Sequence, residues 1–131
     1  MPTIELTKDN LDSTIEGNQI IFIDFWAEWC GPCKMFKPVF EAASDKHADI
    51  VFCSCNTEEQ QEVAAAFSIR SIPTLAVFRE KVLVFIQPGA LPAAALDEII
   101  AKVKELDMDE VRADIEKQKA EQKETEKKEG E

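Results

Sequence analysis

The chain predicts an α/β fold, with a central mixed β-sheet flanked by helices on both faces and a C-terminal helical or disordered extension. Three observations predict it. The run Ile20–Trp26 is almost continuously apolar, as expected of a strand covered on both faces. Strand-like and helix-periodic stretches alternate up to residue 72, and two strand-like runs then follow each other across a short turn before a last helix. Beyond residue 106 the composition changes to Asp, Glu, Lys and Gln. At 131 residues and 45% hydrophobic content, residues 1–106 make one domain of ordinary core size and 107–131 an appendage.

In order, Thr3–Leu6 reads as a first strand. Thr7–Asn10 offers helix caps, and Leu11, Thr14 and Ile15 form one face of a short helix. Gly17-Asn18 is a turn, followed by the strand Ile20–Trp26. From Cys33 to about His47, Met35, Phe36, Val39, Phe40 and Ala43 mark the inner side of a helix that carries Pro38 inside it. Ile50–Asn56 reads as a third strand. Glu58–Phe67 reads as a helix with Val63, Ala66 and Phe67 inward. Thr74–Arg79 and Val82–Gln87 pair antiparallel across Glu80-Lys81. A helix starting at Leu91-Pro92 runs to about Glu105, with Leu96, Ile99, Ile100 and Val103 as its buried stripe. In the extension, Asp107 and Glu110 suit a capping box, and Met108, Val111 and Ile115 line a helix to about Gln118. From Lys117 onward the lack of large apolar residues predicts disorder.

The chemistry concentrates at the junction between the second strand and its helix. Cys30 and Cys33 stand three positions apart, so both sulfurs share one face of a first helical turn, within reach of a disulfide. A helix N-terminus favours an anion, which lowers the pKa of the first cysteine and makes its thiolate a nucleophile. A C-x-x-C can also be half of a zinc site, and Cys53-Ser54-Cys55 follows at a suggestive distance. That second pair has one intervening residue and lies inside an apolar strand, so no metal is expected, and Cys53 and Cys55 read as small buried hydrophobes. Asp24 interrupts an apolar strand, where an acid is costly unless neutral or paired. His47 stands without ligand partners.

The run Asp24-Phe25-Trp26-Ala27-Glu28-Trp29-Cys30-Gly31-Pro32-Cys33-Lys34-Met35 resembles the thioredoxin family almost residue for residue. Ile69–Thr74 and Pro88–Leu91 match two further landmarks of that family in the expected order. The resemblance covers about Ile4 to Leu106 and excludes the extension. It implies the thioredoxin fold and a protein-disulfide reductase, with Cys30 as nucleophile and Cys33 as resolving thiol. Asp24 would lie beneath the dithiol, with a raised pKa, and accept or donate the proton of Cys33. Ile72-Pro73 would be the family's cis-proline, and Trp29, Gly31, Pro32, Ile72, Pro73 and Gly89 would bind substrate. No bound cofactor is implied, because the Cys30–Cys33 disulfide is itself the redox centre; electrons would come from NADPH through thioredoxin reductase. Disulfide-containing client proteins would be the other partners. Two positions depart from the family: Ser54 stands where it usually has a lysine near the aspartate, which predicts an Asp24 harder to ionise, and Lys81 where it has a turn glycine.

Charge and composition narrow the partners. The net charge of −11 argues against nucleic acid or an anionic membrane. The N-terminal residues lack a basic stretch followed by an apolar one, so no signal peptide is expected and a cytoplasmic address is the default. A monomer is the default assembly. Two rival functions use the same features: an oxidase or isomerase of the same fold, and a non-catalytic, chaperone-like binding subunit.

Overall fold

The computed structural model describes residues Thr3–Glu129. Met1 and Pro2 at the start of the chain, and the disorder expected at Gly130 and Glu131, lie outside the described residues. The elements run β1 (Thr3–Glu5), α1 (Leu11–Gly17), β2 (Ile20–Trp26), α2 (Gly31–Lys46), β3 (Val51–Asn56), α3 (Gln61–Ala66), β4 (Thr74–Arg79), β5 (Val82–Pro88), α4 (Ala93–Glu105) and α5 (Met108–Glu129).

The strands form one sheet in the order β1-β3-β2-β4-β5. β1, β3 and β2 are parallel, whereas β4 and β5 run antiparallel to their neighbours. The apolar continuity of β2 follows from its place: it is paired on both edges and Ile21–Phe25 are buried on both faces. Side-chain alternation divides it between two cores. Phe22 packs with Phe36 and Phe40 of α2 and with Leu96, Ile100 and Val103 of α4. Ile21, Ile23 and Phe25 pack with Val63 of α3, against Leu11 and Ile15 of α1. The same alternation puts Asp24 on the α2 face and Cys53 and Cys55 in the opposite core.

Several sequence expectations are corrected. Met35 is 73% exposed, because α2 starts at Gly31 and its buried stripe is Cys33, Phe36, Phe40 and Ala43. Ala66 is exposed, since the short α3 buries only Val63 and leaves Phe67 to cover the core from beyond its end. The Glu80-Lys81 turn forms without glycine: both residues take left-handed φ values, 50° and 71°, the backbone a two-residue hairpin requires.

The extension is helical well past Gln118. Asp107 caps it, its Oδ1 accepting from the N–H groups of Asp109 (3.0 Å) and Glu110 (3.2 Å). Met108 is buried, and Arg112 pairs with Glu80 at 3.1 Å, tying α5 to the β4–β5 turn. From Glu116 to Thr125 the side chains are exposed, yet the backbone continues as helix to Glu129. The reason is local: Lys, Glu, Gln and Ala are strong helix formers and no Gly or Pro interrupts them. Low hydrophobicity removes a core, not a helix.

Candidate functional site

The dithiol is built by the end of β2 and the start of α2. Cys30 is the N-cap of α2, in extended conformation, and Pro32 occupies the first turn with its preset φ. The backbone N–H of Cys30 donates to the Ala27 carbonyl at 3.2 Å, closing the approach loop. Cys30 and Cys33 are joined as a disulfide, with their Cα atoms 5.2 Å apart. The N–H of Cys33 donates to Cys30 Sγ at 3.2 Å. An unpaired helix N–H thus points at the sulfur that would carry negative charge after reduction, which favours the thiolate.

Both cysteines are nearly closed off, Cys30 at 4% and Cys33 at 3% exposure. The sulfur of Cys30 turns inward, to 3.6 Å from the carbonyl oxygen of Ile72. What remains exposed around it is Trp29, Gly31 and Pro32. The Ile72-Pro73 bond is cis, and the N–H of Gly89 donates to the Pro73 carbonyl at 2.7 Å. Gly89 has a φ of 105°, which favours glycine there. The α2 start, the Ile72-Pro73 loop and the end of β5 therefore meet around Cys30. Trp29 and Ile72 also line a shared groove with Ile69 and Ser71.

Asp24 lies on the other side of the dithiol. It lines a cavity of about 400 Å³ together with Trp26, Glu28, Cys33, Lys37 and Ser54. Asp24 is 4% exposed and its Oδ1 has no hydrogen-bond partner. Burial pushes its carboxyl up to about 7, and the positive charge of Lys37 acts in the opposite direction. An acid that changes charge near neutrality, beside the inner cysteine, is suited to proton transfer. The upward shift agrees with the expectation from Ser54, which faces Asp24 from β3 without a charge, while Lys37 lines the same cavity from α2.

Cys53 and Cys55 are free, fully buried, and on the sheet face away from Asp24. Burial pushes each thiol up to about 12. Among the described residues no three His, Cys, Asp or Glu side chains gather as a metal site.

Sequence reasoning misses two contributors. Glu58 accepts a hydrogen bond from Trp29 Nε1, holding the exposed indole beside the dithiol. Lys37 stands four residues after Cys33, and that spacing alone sets it on the same helix face.

Comparison with known proteins agrees with this geometry. The thioredoxin family profile matches residues 2–105. The chain is 56% identical over 118 residues to "Putative thioredoxin 2" of Streptomyces coelicolor, covering 90% of this chain and 88% of that protein. A match of that length takes in part of the extension, because only 106 residues precede Asp107. Identity to the thioredoxin of Alicyclobacillus acidocaldarius is 38%, over 75% of this chain and 98% of the other. Among solved structures, a point-mutant thioredoxin from Halobacterium salinarum superposes with a TM-score of 0.74 at 30% identity, covering 80% of this chain and 93% of its own. Plasmodium falciparum thioredoxin does so with a TM-score of 0.70 at 35% identity, over 75% and 96%. The protein carries out dithiol–disulfide exchange as a protein-disulfide oxidoreductase, and the chain belongs to the thioredoxin family.

Proposed function

We propose that the protein is a disulfide reductant in which Cys30 attacks and Cys33 resolves. The observation that carries this assignment is the Cys33 N–H donating to Cys30 Sγ at the start of α2. The Cys30 thiolate attacks one sulfur of a client disulfide; a mixed disulfide forms, the client S–S bond breaks, and the released client sulfur takes a proton. Cys33 then gives its proton to Asp24 and attacks Cys30 Sγ. The Cys30–Cys33 bond forms, the Cys30–client bond breaks, and the second client sulfur leaves and is protonated. Two electrons have passed to the client.

Trp29, Gly31, Pro32, Ile72, Pro73 and Gly89 form the client-binding surface. Their support is position: Trp29, Gly31 and Pro32 adjoin Cys30 along the chain, the Ile72 carbonyl contacts its sulfur, Pro73 follows Ile72, and Gly89 is hydrogen-bonded to Pro73. Membership of the family implies a reductase and disulfide-containing proteins as partners in general. We further assign NADPH, acting through thioredoxin reductase, as the electron source, so that the protein serves electron transport as a cytoplasmic monomer. The acidic net charge supports solubility without nucleic acid or membrane, and among the described residues no helix is long and apolar enough to cross a membrane. Residues 1–106 carry the redox domain and residues 107–131 are an extension to it.

An equilibrium titration against a thiol–disulfide buffer, followed by the fluorescence of Trp26 and Trp29, tests the direction. A reversible two-electron couple near roughly −270 mV is expected of a reductant, and one at about −180 to −120 mV would assign an isomerase or oxidase instead.

A further inference from the structure

Among the described residues, the most exposed large apolar side chains are Met35, at 73%, and Trp29, at 69%. They stand on either side of the dithiol in sequence. Trp29 is held by Glu58 and shares its groove with Ile69 and Ile72. Met35 belongs to neither core and leaves a flexible apolar chain in water. On α2 it follows Pro32 by three positions and Gly31 by four, so the three share one helix face, and a helical side chain leans back over the turn before it. Met35 therefore leans towards the dithiol. A Cβ placed on Gly31 would meet nothing within 4 Å, so the helix surface between Cys30 and Met35 is an open shelf. Beyond Met35 the same face continues through Pro38 and Ala42, both exposed and uncharged. Lys34, Glu41 and Asp45 occupy the neighbouring row and do not interrupt it.

We propose that Met35 is a specificity-determining residue: beside the open shelf over Gly31, it receives a large apolar side chain that the client protein carries next to its disulfide. The inference rests on the client-binding surface assigned above, to which Gly31 and Pro32 belong and which Met35 extends along α2. A thioether is flexible and polarizable, so the contact suits apolar side chains of different shapes and selects a class of client, not one sequence. The face carries no charge, so the selection is by apolar burial.

The test is steady-state reduction of two peptide disulfides that differ only in carrying leucine or serine on both sides of the cysteine, with cystine as a small disulfide. Wild type, Met35→Gln, Met35→Leu and Trp29→Ala are compared. Met35 is exposed, and glutamine has its length and a similar helix propensity, so Met35→Gln changes polarity without disturbing the core or α2. In Met35→Gln the KM for the leucine peptide should rise about threefold to tenfold, with its kcat, the serine peptide, cystine and the redox midpoint unchanged. Met35→Leu should keep the wild-type preference. That preference should persist at high salt, because no charge supplies it. A leucine-peptide KM unmoved in Met35→Gln overturns the proposal, as does a loss of equal size on all three disulfides or a preference that salt abolishes. Trp29→Ala separates the two readings: a raised KM there with none in Met35→Gln sinks the role of Met35 alone, whereas peptide KM values unmoved in both variants sink the client-binding surface as well.

Discussion

Cys30 Sγ lies 3.6 Å from the carbonyl oxygen of Ile72, although the two residues are 42 positions apart. The contact brings the sulfur proposed to attack to the backbone of the Ile72-Pro73 loop. A client segment laid along Ile72 as an added strand would present its disulfide to that sulfur.

The two cysteines should therefore behave differently when replaced. Cys33→Ser should accumulate a mixed disulfide between Cys30 and client, visible as a reducible high-mass species. Cys30→Ser should trap none, because the helix N–H that favours a thiolate points at the sulfur of residue 30 and, among the described residues, Cys33 has no such donor. Equal trapping by both variants would exchange or remove the assigned roles.

Asp24 makes stability depend on pH in an unusual sense for an acid. Folded, it holds its proton up to about pH 7; unfolded, only to about the ordinary 3.8. Between those values the unfolded chain binds fewer protons, so stability falls as pH rises through the window and is flat beyond it. The whole effect is about 4 kcal/mol. Urea denaturation of Asp24→Asn should show no such decline, so its stability relative to wild type should grow by about that amount from pH 3 to pH 8. Parallel profiles would mean that Asp24 titrates normally.

Cys53 and Cys55 should be silent in the folded protein. With the thiols pushed up to about 12 and no exposure, neither is a thiolate at neutral pH. Alkylation of the oxidised protein at pH 8 should label no cysteine in buffer and two in denaturant. Labelling of either in buffer would reveal opening of the β3 core on the timescale of the reaction.

Arg79 ties the end of α4 to the sheet. Its Nη1 donates to the carbonyls of Val103 at 2.7 Å and Leu106 at 2.6 Å, groups at the C-terminal end of α4 that lie beyond its regular hydrogen-bonding ladder. Arg79→Ala should cost about 2 kcal/mol in denaturant unfolding while leaving the redox midpoint unchanged. Lysine at this position should recover part of the loss, since it supplies the charge but not the fork. A loss below about 0.5 kcal/mol would show that water replaces the contact.

How much is legible in the sequence varies by element. β2 and β4 are readable to the residue, because a strand buried on both faces leaves a nearly continuous apolar signature. The short α3 reads too long and Ala66 reads inward, since alanine carries no strong signal of its side. Helix from Lys117 onward escapes the reading because poverty in apolar residues predicts the loss of a core and says nothing against local helix propensity. The dithiol, Asp24 and the Ile72-Pro73 landmark are all visible as motifs.

By itself, the sequence determined the chemistry available: two cysteines at helical spacing before an apolar helix, and one acid in a strand with no room for it. These are local facts, set by spacing and by the cost of burying charge. Only the tertiary structure decided which groups meet. It turned Cys30 inward to Ile72, joined Trp29 to Glu58, and brought Lys37 to the cavity of Asp24 in place of a strand lysine. Those contacts link residues on different elements, and their geometry depends on how α2 packs across the sheet.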